Sequence, residues 1–90
     1  MKNKMNELKD KITGILVDNL GLSNNDITDD AKFYEDLGVD SLDFYAVIAA
    51  VEKALHISIP DDDAARLKTP GLLYAYVEKK ATHHPVMQVA

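Results

Sequence analysis

The residues with the clearest chemical potential are Asp40, Ser41 and Asp43, which lie where a polar segment gives way to a strongly apolar one. The apolar run has helical spacing, so Ser41 carries a lone hydroxyl at the start of a helix. A helix N-terminus has free N–H groups and a partial positive charge, and both favour an anion. Ser41 is therefore well placed to bear a covalently attached phosphate.

A helix-capping serine and a catalytic serine are the competing interpretations of Ser41. Serine is a common N-cap, but Asp40 already offers a cap and leaves the Ser41 side chain to point outward. The nucleophile elbow of hydrolases, G-x-S-x-G, requires a glycine after the serine, and this chain has none there. The histidines that could act as a base are all far along the chain: His56, His83 and His84.

The acidic residues do not follow a known metal-binding pattern. If residues 26–37 are aligned with an EF-hand loop, Ala31 and Leu37 stand where glycine and glutamate are needed. His83 and His84 are adjacent and would point apart on a helix, and the chain has no cysteine. We expect no metal site, and we interpret the acids as a solvated surface that attracts divalent cations loosely.

Composition excludes several classes of protein. The chain has 90 residues, which suits one small domain, and a net charge of −5 that disfavours binding to nucleic acid. No apolar stretch is long enough for a membrane span or a signal peptide, so we expect a cytoplasmic protein. Acidic residues crowd one region, in which Lys32 is the only base: Asp26, Asp29, Asp30, Glu35, Asp36, Asp40 and Asp43. This region should attract basic partner surfaces.

Apolar spacing predicts the elements that position Ser41. The first helix covers about residues 4–20 and stops at Gly21. The loop that follows, residues 21–40, is long for a small domain and needs anchors. The apolar residues of the loop can supply these anchors: Leu22, Ile27, Phe33 and Leu37. One helical turn is expected at positions 33–37.

The second half of the chain predicts three more helices. Helix two covers residues 41–55, and an extended link then buries Ile57 and Ile59. A short helix runs from Asp61 through Leu67, and the last helix starts at an N-cap, Thr69, followed by proline. We predict an all-α monomer: a small four-helix bundle with three longer helices and one short helix, with the long loop between helices one and two. The domain covers residues 1–81, and residues 82–90 form a flexible tail.

Helix two is apolar on every side, which is unusual for a surface helix. Val47, Ile48, Val51 and Leu55 share one face and are expected to point inward. We predict a core made of the apolar residues in phase with each helix and the loop anchors: Leu8, Ile12, Phe33, Val47, Val51, Leu55, Ile59 and Val77. Four residues then remain near the surface beside Ser41, either as extra core or as a docking face: Leu42, Tyr45, Ala46 and Ala49.

Residues 35–43, EDLGVDSLD, resemble the attachment site of the acyl carrier proteins, and residues 59–62, IPDD, resemble the segment that follows helix two in that family. The resemblance covers about residues 5–80. It implies that Ser41, flanked by Asp40 and Leu42, carries a 4'-phosphopantetheine arm whose thiol holds an acyl group as a thioester. It implies a carrier and not an enzyme, with a phosphopantetheinyl transferase and acyl-loading and acyl-using enzymes as partners.

The resemblance also implies where those partners bind, on the helix-two side of the molecule: Asp36, Asp40, Leu42, Asp43, Tyr45, Ala46, Ala49 and Glu52. Fatty-acid carriers tend to have more glutamates there, whereas this chain has Ala46 and residues 52–54 read Glu-Lys-Ala. We therefore expect a specialised lipid or polyketide-type pathway. The alternatives are a peptidyl or aminoacyl carrier, in which glycine or histidine is common at positions 39–40, and a helical interaction module without a prosthetic group.

Overall fold

The computed structural model describes residues 4–83, and its elements are four α-helices with one 3-10 turn in the long loop. They are α1 (Lys4–Leu20), α2 (Ser41–Leu55), α3 (Asp61–Ala64) and α4 (Pro70–His83), and the 3-10 turn covers Asn24–Asp26. This confirms the predicted all-α bundle of three longer helices and one short helix. Helix α4 runs through His83, and the remainder of the predicted tail, residues 84–90, lies outside the described residues.

The helix ends follow from local chemistry. Gly21 adopts a left-handed conformation, φ 68°, and its N–H donates to the Val17 carbonyl at 3.0 Å, which ends α1 as predicted. At the start of α4 the Thr69 hydroxyl accepts the Leu72 N–H at 3.2 Å, so the predicted cap is confirmed. Helix α2 ends at Leu55, and its C-cap, His56, is left-handed at φ 56° although it is not a glycine.

The core lies where α1, α2 and α4 meet the long loop and the link. Of the predicted core, Leu8 and Leu55 are only partly buried and pack against it, and the other six residues are buried. Beneath the loop, the rings of Phe33 and Phe44 have centroids 5.4 Å apart. Eight further buried residues complete the core: Leu16, Val39, Phe44, Ile48, Ala64, Leu67, Leu73 and Tyr74.

The segment between α2 and α4 differs from its prediction in two details. Ile59 is buried, but Ile57 is only half-buried. Helix α3 ends at Ala64 and does not continue to Leu67, because the next N–H groups bond three residues back instead of four: Arg66 to Asp63 and Leu67 to Ala64, both at 3.0 Å. This tighter turn brings the Leu67 side chain into the core.

Main-chain hydrogen bonds to the α3–α4 corner hold the long loop. The Phe33 N–H donates to the Lys68 carbonyl at 2.9 Å, and the Gly71 N–H donates to the Asp29 carbonyl at 3.0 Å. A Cβ at position 71 would lie 2.8 Å from the Asp29 carbonyl oxygen, so only glycine permits this approach. The loop is therefore anchored by its backbone as well as by the buried Phe33 and the partly buried Ile27 and Leu37.

The predicted inward face of α2 can be checked with Val51→Ala. Val51 has 0% of its surface exposed, so the lost methyl groups and the resulting cavity should lower the free energy of unfolding by about 1–2 kcal/mol. Urea denaturation followed by circular dichroism measures this loss. Val17→Ala, at a half-buried position of α1, is the control and should cost clearly less. Equal losses for the two variants would show that Val51 is not part of the core.

The contact between α3 and α4 predicts a dependence of stability on alkaline pH. The Tyr76 hydroxyl donates to Asp63 Oδ2 at 2.7 Å, and partial burial, then this hydrogen bond and the Asp63 charge, raise the pKa of Tyr76 from 10.0 to about 12. The folded state therefore favours the protonated phenol, a stabilisation that is complete below pH 10 and is lost as the pH rises towards 12.

We expect Tyr76→Phe to lower the free energy of unfolding by about 1 kcal/mol at pH 8. The difference between the wild type and the variant should shrink between pH 10 and 12. Denaturant melts of both proteins at pH 8 and pH 11.5 measure it. A difference that does not change between these two pH values would contradict the prediction.

Candidate functional site

Ser41 is the first residue of α2 and its side chain is exposed. The predicted cap is confirmed, because Asp40 Oδ1 accepts the Asp43 N–H at 2.9 Å. None of the hydrogen bonds among the described residues uses the Ser41 hydroxyl. The hydroxyl thus stands at the positive end of α2 and remains available for chemistry.

Buried residues on both sides fix the backbone at Ser41. Val39 is 7% exposed, and its N–H donates to the Phe33 carbonyl at 2.9 Å. Gly38 is left-handed, φ 69°, which turns the chain from the loop towards α2. Phe44, one turn into the helix, is 3% exposed. A rigid main chain therefore presents an exposed side chain at position 41.

The arrangement fits a phosphate ester on Ser41. The first N–H groups of a helix have no intrahelical acceptor, and here the Asp43 and Phe44 N–H groups already bond to Asp40. The N–H groups of Ser41 and Leu42 are left to face an anion held on the hydroxyl. Four residues at this end of α2 are exposed: Asp40, Ser41, Leu42 and Asp43. A long flexible group attached to Ser41 can therefore extend into solvent.

Besides the capping Asp40, two more of the carboxylates predicted to meet partners also stabilise the chain locally. Asp36 Oδ2 accepts the Lys32 N–H at 2.8 Å and closes the helical turn at positions 33–37. Glu52 is half-buried, and its Oε2 accepts the Ile59 N–H at 2.7 Å, which ties α2 to the link. Asp43 is exposed on the first turn of α2. Sequence patterns gave no sign of the Glu52–Ile59 contact, since the two residues lie seven positions apart.

The structure brings together the predicted outward residues of α2 on the side that holds Ser41. Leu42 is 84% exposed and Tyr45 is 39% exposed, and Ala46 and Ala49 are exposed as well. Val47, Ile48 and Val51 point inward, as predicted. The result is an apolar outer surface with few charges on a helix whose N-terminus is acidic.

Tyr34 is a neighbour of this site that the sequence analysis missed. It is 45% exposed, and its ring lies 5.8 Å from that of Phe44, whose other contacts include Tyr45 at 5.1 Å. Partial burial, and then the charges of Tyr45 and Asp40, raise the pKa of Tyr34. The one signal in the sequence was its position next to the anchor Phe33.

Two further classes of site are absent from the described residues. No group of three or more histidine, aspartate or glutamate side chains there is arranged to hold a metal ion. No helix within residues 4–83 combines the length and the apolar character that crossing a membrane requires.

Comparison with known proteins agrees with the geometry. A family model described as "Phosphopantetheine attachment site" matches residues 10–77. The acyl carrier protein of Akkermansia muciniphila is 42% identical to this chain over 74 residues, which cover 82% of this chain and 92% of that protein.

Proposed function

This chain belongs to the phosphopantetheine attachment-site family as one of its acyl carrier proteins, and from that premise we propose that Ser41 is the residue that carries the arm. The chain is a carrier and not an enzyme, and its prosthetic group is covalent 4'-phosphopantetheine. The group's terminal thiol holds the acyl cargo as a thioester. Its partners include a phosphopantetheinyl transferase and acyl-handling enzymes.

One observation carries the assignment to Ser41: its hydroxyl is exposed at the start of α2 while Asp40 supplies the cap. The transferase forms a bond between Ser41 Oγ and the phosphorus that bears pantetheine in coenzyme A. The pyrophosphate bond breaks, adenosine 3',5'-bisphosphate leaves, and the serine proton passes to the transferase. The Asp40 cap and the buried Val39 and Phe44 hold the hydroxyl in place for that attack.

Peptide mapping tests the assignment. Apo protein is incubated with coenzyme A and a transferase of broad specificity, then digested and analysed by mass spectrometry. We expect one arm per chain, on the peptide that contains Ser41. An arm on a peptide that contains Ser23 or Ser58 instead, or no arm at all, would contradict the proposal.

We further propose that this carrier serves a specialised lipid or polyketide-type pathway. The support is the surface of α2, where Tyr45, Ala46 and Ala49 are exposed beyond the acidic first turn. Charged side chains on such a face mainly raise the rate at which a basic partner is captured, and they set discrimination between partners. An apolar face selects enzymes whose own docking surface is less basic.

Ala46→Glu should increase acyl loading by a general fatty-acid malonyl transferase, and more strongly at low salt than at high salt. The reason is that added negative charge speeds the encounter with a basic enzyme and salt screens this effect. Loading of holo protein at two ionic strengths measures the change. Ala75→Glu, an exposed site on α4, is the control and should leave loading unchanged. Equal loading of the wild type and Ala46→Glu would rule out the specialised docking face.

A further inference from the structure

Tyr45 lies one helical turn after Ser41 on the same face of α2. Residues four apart on a helix have Cβ atoms about 5–6 Å from each other. Helical side chains lean towards the N-terminus, so the surface that a residue covers lies over the preceding turn. The ring of Tyr45 therefore covers the surface next to the Ser41 hydroxyl.

The buried Phe44 supports that ring and also contacts a second tyrosine. Phe44 is buried and meets Tyr45 edge to face, with centroids 5.1 Å apart and an interplanar angle of 82°. Tyr34 packs on Phe44 as well, at 5.8 Å. We call Tyr34, Phe44 and Tyr45 the aromatic seat. Because Phe44 restrains both tyrosines, their side chains lose little conformational entropy when a ligand binds the seat.

The first segment of the arm has matching chemistry. Beyond the phosphate comes one methylene and then a carbon that bears two methyl groups, followed by a hydroxyl and two amides. A compact apolar group thus lies a few bonds from Ser41 Oγ, and Tyr45 is the aromatic residue one helical turn further along the same face of α2. The outer part of the seat offers phenol hydroxyls, which can donate to the amide carbonyls.

The arm itself suits the seat better than an external ligand does. Covalent attachment at Ser41 gives the dimethyl group a high effective concentration at Tyr45. The seat's exposed area, parts of two tyrosine rings, is too small for a stable protein interface by itself. Tyr34 joins the seat through its ring contact with Phe44, which lies on the first turn of α2.

We propose that the aromatic seat is a surface binding site for the dimethyl segment of the arm carried on Ser41, with Tyr45 as the contacting ring. This inference rests on the proposed attachment at Ser41. In the resting carrier the seat holds the base of the arm against α2 and leaves the thiol end mobile. A partner enzyme that draws the arm into its active site must displace the dimethyl group from Tyr45.

Nuclear magnetic resonance of holo protein tests the proposal, after mass spectrometry has verified the arm. With the arm isotopically labelled, we expect its two methyl signals to be shifted upfield of those in free pantetheine and to show contacts to Tyr45 ring protons. Methyl relaxation should report tumbling with the protein. Tyr45→Phe should retain this behaviour, and Tyr45→Ala should give methyls as mobile as those of free pantetheine.

The controls separate failure of the seat from failure of attachment. Tyr76→Phe changes a tyrosine remote in sequence from Ser41 and should leave the methyl signals unchanged. An arm present by mass, with methyl shifts and mobility of free pantetheine in the wild type, overturns the seat and leaves Ser41 as attachment site. Absence of the arm from Ser41 overturns the attachment and the seat together. Tyr45 is exposed, so its variants should fold, and circular dichroism verifies this.

Discussion

Ser41→Ala will gain no arm when it is incubated with coenzyme A and a broad-specificity transferase, whereas the wild type gains one. The substitution removes the exposed hydroxyl at the start of α2 and leaves the Asp40 cap intact. Since the Ser41 side chain takes no part in the packing or the capping, the melting temperature should stay within about 2 °C of the wild-type value. Intact-mass spectrometry and thermal melts of the same samples measure both.

Ser58→Ala is the matched control for this experiment, because Ser58 is also exposed but lies in the link after α2. It should gain one arm as the wild type does. Modification of Ser41→Ala by a full equivalent would refute the assignment of the attachment residue. Loss of modification in the Ser58 variant as well would point to a transferase that no longer recognises the fold.

Phe33→Ala is expected to have the largest effect on stability, a loss of about 3–5 kcal/mol in the free energy of unfolding. Phe33 is 1% exposed and packs on Phe44 directly beneath the site. Domains of this size have about 5–10 kcal/mol of stability in total, so the variant should be close to unfolded at 37 °C. Urea denaturation at 15 °C, followed by circular dichroism, measures the loss.

Leu72→Ala controls for the loss of an apolar side chain, because Leu72 is 48% exposed on α4. It should cost less than about 1 kcal/mol. Phe33→Leu retains most of the apolar volume and should recover a large part of the stability lost in Phe33→Ala. A loss below about 1 kcal/mol in Phe33→Ala would show that the loop does not depend on this anchor.

Local signals in the sequence were enough to predict the helices and the position of Ser41. Gly21, Asp40 and Thr69 act on their own backbone neighbourhood, so the end of α1 and the starts of α2 and α4 followed from residue type. The motif placed Ser41 at the first position of α2 for the same reason. The chemistry of a helix N-terminus depends on residues a few positions apart.

Contacts between residues distant in the sequence could not be predicted. The inward face of α2 was predicted from Val47, Ile48 and Val51, but Phe44 was assigned to neither face, so its burial and its contacts with Tyr34 and Tyr45 came only with the fold. Acidic residues away from a helix start have the same limit, because the sequence does not distinguish a carboxylate that meets partners from one that bonds a distant backbone N–H. Glu52, bonded to Ile59, was interpreted only as the former.

The way the long loop is held has a consequence for redesign of the carrier. Main-chain atoms make the bonds from Phe33 to Lys68 and from Gly71 to Asp29, and the Asp29 and Lys68 side chains are exposed. New side chains can be grafted onto the exposed loop positions, apart from Asp26 and Asp36, whose side chains bond the backbone, without moving the helix that bears Ser41. Position 71 must also stay glycine, because any Cβ there would collide with the loop backbone. The exposed side chains of the loop can thus be exchanged, while a single glycine at the start of α4 keeps the loop in register.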